Sequence, residues 1–389
     1  MQAIPLALYI HIPWCIRKCP YCDFNSHAVP NQLPETHYIN ALLADLAQEL
    51  PSVWGRRLDS IFIGGGTPSL FSPNALEQLL SGIRALIPMR PSIEITLEAN
   101  PGTFEQAKFK EYRELGINRL SIGIQSFDPI HLKVLGRIHN QAEALKAAHI
   151  AQAAGFDNFN LDLMFALPNQ TLEQALADLH QAIALQPSHL SWYQLTLEPN
   201  TLFHKFPPEL PDDDLSADIA QAGQLVLAQA GFEQYEVSAY AQASKQCRHN
   251  RNYWEFGDYL GIGAGAHGKL SQLNQNGQLV ITRYQKARQP ELYMQSTQSP
   301  PLRHSITVLE PEHLGFEFML NALRLKQGFK RSLFTERTGA SEILISEVLK
   351  QAQQQQLLHI TEDWIQPSEW GWQFLNNAIE LFLPTELHK

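Results

Sequence analysis

Tyr9-Ile-His-Ile-Pro-Trp-Cys15-Ile-Arg-Lys-Cys19-Pro-Tyr-Cys22-Asp-Phe24 is the stretch that decides the fold, since an apolar run enters a loop with three of the chain's four cysteines. Three residues separate Cys15 from Cys19, and two separate Cys19 from Cys22. Cysteine thiolates are the usual ligands of iron–sulfur clusters, which ordinarily take four. Because only three lie together here, the spacing predicts a 4Fe-4S cubane with one iron left open. An open iron can chelate the amino and carboxylate groups of S-adenosylmethionine, whose radical chemistry would belong to the cofactor.

A structural zinc ion is the alternative occupant of this loop. It would be held by the same three thiolates together with a distant His or with Cys247. Zinc sites more often use cysteines paired at a spacing of roughly two to four residues, with a second pair further along the chain. The sequence has no second pair. It therefore favours the cluster, with zinc kept as the alternative.

Residues 6 to 200 alternate between short apolar runs and stretches with helical periodicity. This alternation is typical of βαβ units on a parallel sheet. Six such strands predict an α/β fold, a partial (βα)6 barrel, in which reactive residues lie at the carboxyl ends of the strands. The predicted strands are Leu6–Ile12, Ser60–Ile63, Ile93–Glu98, Arg119–Ile124, Phe159–Phe165 and Leu190–Leu197, and the predicted helices are Glu35–Leu50, Pro73–Ile87, Thr103–Leu115, Gln141–Ala154 and Leu172–Leu185.

Polar residues follow or close five consecutive strands of this predicted barrel. Besides the cysteine loop they are Gly64-Gly-Gly-Thr-Pro-Ser69, Glu98-Ala-Asn-Pro101, Gly123-Ile-Gln125-Ser-Phe-Asp128 and Asn160-Leu-Asp162. Each is weak alone, because a triple glycine is usually a tight turn. Five in a row at the same edge predict one binding site.

The residue types at this edge suit a ligand with an amino group, a carboxylate and ribose hydroxyls. Glycines at 64–66 let the backbone approach a ligand with N–H groups free to meet it. Glu98 and Asp162 can accept hydrogen bonds from an ammonium group or from hydroxyls. Gln125 both donates and accepts, and Arg137 offers a two-pronged donor for a carboxylate.

Composition narrows the function classes. The 389 residues carry a formal charge of −10 and a pI near 5.8, and no run of basic residues is present, which argues against nucleic acid as a partner. The apolar start of the chain is too short for a signal core, and no apolar segment approaches the roughly 20 residues that span a bilayer. With three of four cysteines clustered there is no disulfide framework. We expect a cytoplasmic protein without direct membrane insertion.

Beyond Glu198 the rhythm changes, and we expect three domains: the barrel at 1–205, an α+β extension at 206–305 and a helical C-terminal domain at 306–389. In the extension a helix is predicted near Leu215–Gln229, a strand at Phe232–Ala241, and another at Leu279–Tyr284. Gly261-Ile-Gly-Ala-Gly-Ala-His267-Gly268 contains a Gly-x-Gly-x-x-Gly match. Without a preceding strand and a following helix, the dinucleotide interpretation fails, and a flexible loop at the barrel mouth is predicted instead. In the C-terminal part we expect helices from Glu310 and at Ile343–Leu349, then a strand at Leu357–Ile360 and an apolar close at Trp372–Phe382.

The cysteine spacing resembles the signature of the radical S-adenosylmethionine (SAM) superfamily. The run from Leu8 to His139 resembles its coproporphyrinogen dehydrogenase-like branch, through Tyr9-Ile-His-Ile-Pro, Gly64-Gly-Gly-Thr-Pro-Ser, Glu98-Ala-Asn-Pro, Ser121-Ile-Gly-Ile-Gln-Ser-Phe-Asp and Leu135-Gly-Arg-Ile-His139. The resemblance implies a small winged-helix-like C-terminal domain. It also implies that nine residues contact SAM, namely Tyr9, Tyr21, Gly65, Gly66, Thr67, Glu98, Gln125, Arg137 and Asp162.

That branch contains an oxygen-independent coproporphyrinogen oxidase and heme chaperones that hand heme to respiratory proteins. The oxidase pattern has a further cysteine where this chain has Phe24, and a longer segment before its cluster loop. Arg248-His-Asn-Arg-Asn-Tyr-Trp254 is similar to the His-Asn-x-x-Tyr-Trp signature of the chaperones. The resemblance thus favours a heme chaperone, with His249 as tentative iron ligand and His267 as second candidate. A radical enzyme and a zinc-stabilised binding protein are the alternatives, and the sequence leaves homodimerisation open.

Overall fold

A computed structural model of the chain describes residues 4–102, 107–297 and 303–384. Its strands are β1 (Leu6–Ile12), β2 (Trp14–Cys15), β3 (His27–Ala28), β4 (Leu58–Gly65), β5 (Met89–Ala99), β6 (Arg119–Gln125), β7 (Phe159–Phe165), β8 (His189–Gln194), β9 (Glu233–Glu236), β10 (Ala239–Ala241), β11 (Asp258–Ile262), β12 (His267–Leu273), β13 (Leu279–Lys286), β14 (Arg303–Val308), β15 (Phe329–Lys330), β16 (Leu358–Ile360) and β17 (Trp364–Pro367).

The helices lie mainly between these strands, and short 3-10 turns occur at Leu50–Val53, Pro68–Leu70 and Pro311–His313. They are α1 (Glu35–Glu49), α2 (Pro73–Leu86), α3 (Phe109–Glu114), α4 (Pro129–Val134), α5 (Gln141–Ala153), α6 (Leu172–Ala184), α7 (Leu202–Lys205), α8 (Asp213–Gln229), α9 (Arg248–Trp254), α10 (Pro290–Ser296), α11 (Leu314–Ala322), α12 (Ser332–Thr338), α13 (Ile343–Gln354), α14 (Glu369–Gln373) and α15 (Leu375–Glu380).

The six predicted barrel strands are confirmed. β1, β4, β5, β6, β7 and β8 are consecutive neighbours in the sheet, and every pairing among them is parallel. The helices between them also match, except that the third is shorter than predicted. Only Phe109–Glu114 is helical among its described residues, and 103–106 lie outside the described residues. α4 was not predicted.

Side chains alternate across the barrel wall, as the period of two in a strand requires. One set is apolar, fully buried and packed under the helices: Leu8, Ile10, Ile61, Ile63, Leu97, Leu120, Ile122, Leu161 and Leu163. The other set faces inward and includes Glu98, Ser121, Asp162, Ser191 and Tyr193. The helices that cover the wall start where the sequence supplies a cap. Asn140 with Glu143 forms a capping box at α5, and Thr171 with Gln174 forms another at α6. The barrel interior is consequently polar, in contrast to the dry core outside it.

The extension widens the barrel sheet on both sides. The predicted helix at Leu215–Gln229 is confirmed as α8, which begins two residues earlier, with Asp212 as its N-cap. The single strand predicted at Phe232–Ala241 is wrong, because this segment forms two antiparallel strands, β9 and β10, and β10 pairs with β8. At the opposite edge β11 runs parallel to β1, with β12, β13 and β14 following antiparallel.

The flexible loop predicted at 261–268 is also wrong. Gly261 and Ile262 close β11, and His267 begins β12, so the connection is a short buried turn. A strand therefore does precede the glycines, but a second strand follows them where a dinucleotide site would need a helix.

α9 connects the two extended edges of the sheet and lies against its inner face. The backbone N–H of His249 donates to Glu94 on β5, at 3.2 Å. The imidazole of His249 is hydrogen-bonded to Ser60 on β4 and lies 6.4 Å from the ring of Tyr9 on β1. The histidine of the His-Asn-x-x-Tyr-Trp segment is therefore packed against the inner face of the barrel and not displayed on its surface.

The C-terminal part has its own apolar core around Phe318, Phe334 and Leu349. Its helices surround a three-stranded antiparallel sheet in the order β15, β17, β16. Helices were expected from Glu310 and at Ile343–Leu349, and α11 and α13 confirm them. The apolar close at Trp372–Phe382 contains α15 and the end of α14. No helix in the described ranges has both the length and the apolar character needed to cross a membrane.

Candidate functional site

The cysteine loop is closed at its base by a two-residue parallel pairing. Trp14 and Cys15 pair with His27 and Ala28, so that residues 16–26 project as one loop beyond the carboxyl end of β1. A turn between Cys19 and Cys22, with N to O at 3.2 Å, draws these two residues together. The thiols of Cys15, Cys19 and Cys22 are half-buried and free of disulfides, and all three residues line one cavity of about 570 Å³.

Polar groups from the barrel reach two of these thiols. The hydroxyl of Thr67 donates to Sγ of Cys15 at 3.6 Å, and Nη1 of Arg137 donates to Sγ of Cys19 at 3.7 Å. Burial raises the pKa of Cys15 to about 11 and also raises that of Cys22. Thiols in such a setting are ordinarily protonated, so a bound cation would have to displace their protons.

A single metal ion finds little support in this geometry. Within the described ranges, no three His, Cys, Asp or Glu side chains stand close enough together to hold one ion. Cys247, the distant thiol considered for zinc, does not line the cavity, because it is fully buried and donates to Glu94 at 3.6 Å. Thiols spaced around a cavity suit a wider inorganic core better than one ion. The donor set fits an iron–sulfur cluster with three protein ligands.

The residues predicted to contact SAM converge on this same cavity with one exception. Eight of them line it together with the three cysteines: Tyr21, Gly65, Gly66, Thr67, Glu98, Gln125, Arg137 and Asp162. Tyr9 lies deeper. It lines an adjoining cavity of about 280 Å³ inside the barrel, which Gly65, Glu98 and Asp162 also border.

The role predicted for the glycines is only partly right. The N–H groups expected to be free are used within the protein: Gly65 donates to Glu98 at 3.0 Å and Gly66 to the carbonyl of Ile12 at 2.7 Å. Close packing explains the glycines instead. A Cβ on Gly65 would lie 2.6 Å from the His11 ring, and one on Gly66 would lie 2.5 Å from the Trp14 carbonyl oxygen. Gly65 also has φ of +115°, which disfavours any side chain.

Two carboxyl groups, those of Glu98 and Asp162, dominate the electrostatics of the cavity. Burial, and after it the negative charge of Asp162, raise the pKa of Glu98 to about 8. Burial also raises the pKa of Asp162, although Ser121 and Asn160 donate hydrogen bonds to its carboxylate at 3.1 and 2.8 Å. A cationic ligand would relieve the repulsion between the two groups and favour the ionised form of both.

Gln125 and Arg137 are held in fixed orientations. Gln125 closes β6 at a bulge with φ of +72°, and Tyr193 donates to its Oε1 at 2.8 Å. Nη2 of Arg137 donates to Asn100 at 2.7 Å and to the carbonyl of Gly123 at 2.6 Å. Its Nε atom is buried without a partner among the described residues. One donor of the guanidinium is therefore left unpaired beside the cluster loop, among the residues that the structure describes.

The sequence interpretation missed several polar residues of the site. Asn100 was noted only as part of a motif, and Ser121, Ser191 and Tyr193 were given no role, yet all four line the cavity. A signal was present in β8, where Ser191 and Tyr193 alternate with apolar Leu190 and Trp192. Alternation of this kind in a barrel strand places the polar residues inside.

His249 is placed differently from the expectation for an iron ligand. Its side chain is only 1% exposed, and both ring nitrogens are hydrogen-bonded, Nδ1 to Ser60 at 3.0 Å and Nε2 to Tyr253 at 2.8 Å. Burial, with the nearby charge of Arg119, lowers the pKa of the imidazole to about 3. In this arrangement His249 is a neutral, fully bonded core residue with no nitrogen free for a metal.

His267, the second candidate, borders another cavity of about 570 Å³. Its imidazole is exposed, and neither ring nitrogen has a hydrogen-bond partner in the described part of the chain. Burial and the charges of Arg283 and Arg288 lower its pKa, which places it beside both guanidinium groups. Its surroundings are the opposite of those of His249.

Comparison with known proteins agrees with this architecture. Residues 9–182 match the radical SAM superfamily, and residues 309–374 match the HemN C-terminal domain. The heme chaperone HemW of Escherichia coli is 50% identical over 379 residues, which cover 97% of this chain and 98% of that protein. The chain belongs to the heme chaperone HemW family.

Further HemW relatives and a solved structure extend the comparison. HemW of Haemophilus influenzae is 50% identical, covering 98% of this chain and 99% of that protein, and HemW of Bacillus subtilis is 33% identical, covering 96% and 98%. Coproporphyrinogen III oxidase (HemN) from E. coli, a radical SAM enzyme, superimposes with a TM-score of 0.83 over 99% of this chain and 91% of that one. At 22% identity this likeness shows the fold alone.

Proposed function

We propose that this protein is a heme chaperone that binds heme and transfers it to acceptor proteins, and that it carries a 4Fe-4S cluster and SAM. The observation that carries the proposal is the 50% identity to the heme chaperone HemW of E. coli over nearly the whole of both chains. Two sequence features also favour a heme chaperone over the oxidase: the His-Asn-x-x-Tyr-Trp segment, and Phe24 at a position where the oxidase pattern has a cysteine.

The proposed cluster ligands are Cys15, Cys19 and Cys22. All three border the cavity at the carboxyl end of the barrel. When bound there, the cluster would present an open iron to SAM and supply an electron to it. The protein's part is to hold the loop, through the pairing of Cys15 with Ala28 at its base.

The proposed SAM contacts are the nine residues already named. Glu98 and Asp162 would pair with positive or hydroxyl groups of SAM, because both carboxyl groups line the cavity and neither forms a salt bridge with another residue that the structure describes. Arg137, which lines the cavity, would pair its guanidinium charge with the carboxylate of SAM. Gly65 and Gly66, which have no side chains, would leave room for SAM in the cavity. Tyr9 would contact SAM from the adjoining inner cavity.

The proposed partners are heme and the proteins that accept it. Respiratory heme proteins would be the acceptors, and the protein would act in the cytoplasm without nucleic acid or membrane insertion. The barrel (1–205) would bind the cluster and SAM. The extension (206–305) would bind heme, and the C-terminal domain (306–389) would dock with partners. An acidic chain without a basic stripe fits protein docking better than DNA binding.

An activity assay separates the chaperone from the oxidase. The protein is reconstituted with iron and sulfide without oxygen, reduced, and supplied with SAM and coproporphyrinogen. The chaperone proposal predicts no protoporphyrinogen, while hemin added to the same preparation binds in a saturable manner. Sustained conversion of coproporphyrinogen would establish the oxidase instead. A preparation with zinc and neither iron nor sulfide would establish the zinc-stabilised binding protein.

A further inference from the structure

The second cavity, bordered by His267, lies over one face of the antiparallel strands that extend the barrel. Tyr259 on β11, His267 and Lys269 on β12, and Arg283 and Gln285 on β13 all line it. These residues are two apart within each strand, so their side chains share a face. Cross-strand pairing places His267 beside Gln285 and Lys269 beside Arg283. The volume of this second cavity, about 570 Å³, is within the ~300–1,000 Å³ typical of sites for organic ligands.

The opposite wall of this cavity is aromatic. Tyr253 and Trp254 from α9 line it, together with Phe256 and with Phe24 from the cysteine loop. Tyr253 stands edge-on to Tyr259 at 4.6 Å between ring centroids, and its hydroxyl is held by His249. Phe24 is 59% exposed, which leaves a large apolar side chain in contact with water. Flat apolar walls of this kind suit a flat aromatic ligand.

Positive charge is concentrated at the rim. The guanidinium of Arg288 is exposed and has no hydrogen-bond or ion-pair partner among the described residues. Arg283 binds Glu317 through Nη2, while its Nε is buried without a partner in the described chain. Lys269 is already used, because its Nζ lies 3.0 Å from Asp258. Two guanidinium groups thus lie at the edge of an aromatic cavity, and that of Arg288 has its donors available for a carboxylate.

His267 supplies the remaining group that a heme would need. Of the two histidines considered as iron ligands, His267 has both ring nitrogens without partners among the described residues, whereas His249 has both engaged. The role of His249 is to fix Tyr253, which lines the cavity. The His-Asn-x-x-Tyr-Trp segment then contributes to heme binding through Tyr253 and Trp254 and not through its histidine.

We propose that heme binds in this cavity with His267 as iron ligand, the rings of Tyr253 and Trp254 against the porphyrin, and Arg283 and Arg288 at the propionates. The assignment rests on the proposed heme chaperone function and gives it a location. The cavity shares Phe24 and Trp254 with the cluster cavity, so the two ligands would be neighbours separated by these rings.

The test is a titration of the full-length protein with hemin and with metal-free protoporphyrin IX, followed by absorption in the Soret band and by fluorescence. The variants are His267→Ala, His249→Ala and Arg288→Ala, with His359→Ala and Arg57→Ala as controls for the removal of an exposed side chain elsewhere. Loss of an iron ligand affects hemin alone. Loss of a propionate contact affects both porphyrins.

We expect His267→Ala to weaken hemin binding about tenfold or more and to shift the Soret band, with protoporphyrin IX binding unchanged. We expect Arg288→Ala to weaken both porphyrins several-fold and both controls to match wild type. If His249→Ala abolishes the wild-type Soret band and His267→Ala does not alter it, the assignment is overturned while the chaperone function stands. If the wild-type protein binds no hemin, the function itself fails and the assignment fails with it.

Discussion

The side-chain amide of Asn25 donates a hydrogen bond to the backbone carbonyl of Arg288, with 2.9 Å between Nδ2 and O. The same nitrogen donates to the carbonyl of Ala264, also at 2.9 Å. Gly265 makes this approach possible, because a Cβ there would lie 2.4 Å from that nitrogen. The loop that carries the cysteines is thereby tied by two hydrogen bonds to the segment that borders the second cavity.

Replacing Asn25 with alanine should loosen the cysteine loop. Two hydrogen bonds are lost, and at about 1 kcal/mol each the free energy of unfolding should fall by about 2 kcal/mol. The reconstituted variant should release iron to a chelator faster than wild type. Asn276→Ala, in an exposed turn, is the control. Equal release rates for the two variants would show that the tie does not hold the loop.

Removal of Cys19 should abolish the cluster, since two thiolates do not retain it. We expect Cys19→Ala, reconstituted without oxygen, to lose the iron and sulfide found in wild type. Cys247→Ser is the matched control, because Cys247 lies outside the cluster cavity and serine keeps a donor for Glu94. Iron retained by Cys19→Ala, or lost from Cys247→Ser, would contradict the ligand assignment.

The stability of the ligand-free protein should fall with rising pH through Glu98. The folded protein holds this proton up to a pKa of about 8, whereas the unfolded chain releases it near the ordinary value of 4.5. The contribution of Glu98 to the free energy of unfolding is thus complete below about pH 4.5 and is lost as the pH rises through about 8.

Glu98→Gln removes this pH-dependent contribution to the free energy of unfolding. Between about pH 5 and pH 9 its thermal midpoint should decline less than that of wild type. Exposed Glu77→Gln, which leaves the cavity intact, should follow the wild-type curve. Parallel curves for wild type and Glu98→Gln would mean that the carboxyl group is already ionised throughout.

Gly65→Ala should destabilise the protein more than a glycine replacement that costs backbone strain alone. Gly155 also has positive φ, at +86°, but a Cβ there meets nothing within 4 Å. We expect Gly155→Ala to lower the free energy of unfolding by about 1–2 kcal/mol. Gly65→Ala should cost at least about 2 kcal/mol more, because its Cβ would overlap the His11 ring. Urea unfolding measures both, and equal losses would exclude the overlap.

Local sequence patterns predicted the barrel well and the contacts inside it poorly. Apolar runs and caps are local, so the six strands and most of their helices could be placed. The partners of Gly65 and Gly66 are not local, and their N–H groups were wrongly expected to be free. The pairing of β11 with β1 joins residues about 250 positions apart, so a strand was taken for a loop.

The same limit applies to the candidate ligands. Ser60 and Glu94, which hold His249, are separated from it by 189 and 155 positions. No motif containing His249 alone could reveal that its nitrogens are engaged. His267 was identified as a candidate in a supposed loop, and its exposure became visible only when β12 and β13 were placed side by side.

The most direct test of the chaperone account is a heme-transfer measurement. The cluster-containing protein is loaded with hemin, freed of excess, and mixed with the heme-free form of a respiratory heme protein from the same organism, and the Soret spectrum is followed. The account predicts that the acceptor gains its heme spectrum faster from this protein than from an equal amount of albumin-bound hemin. Heme that stays on the protein, or transfer no faster than from albumin, would contradict it.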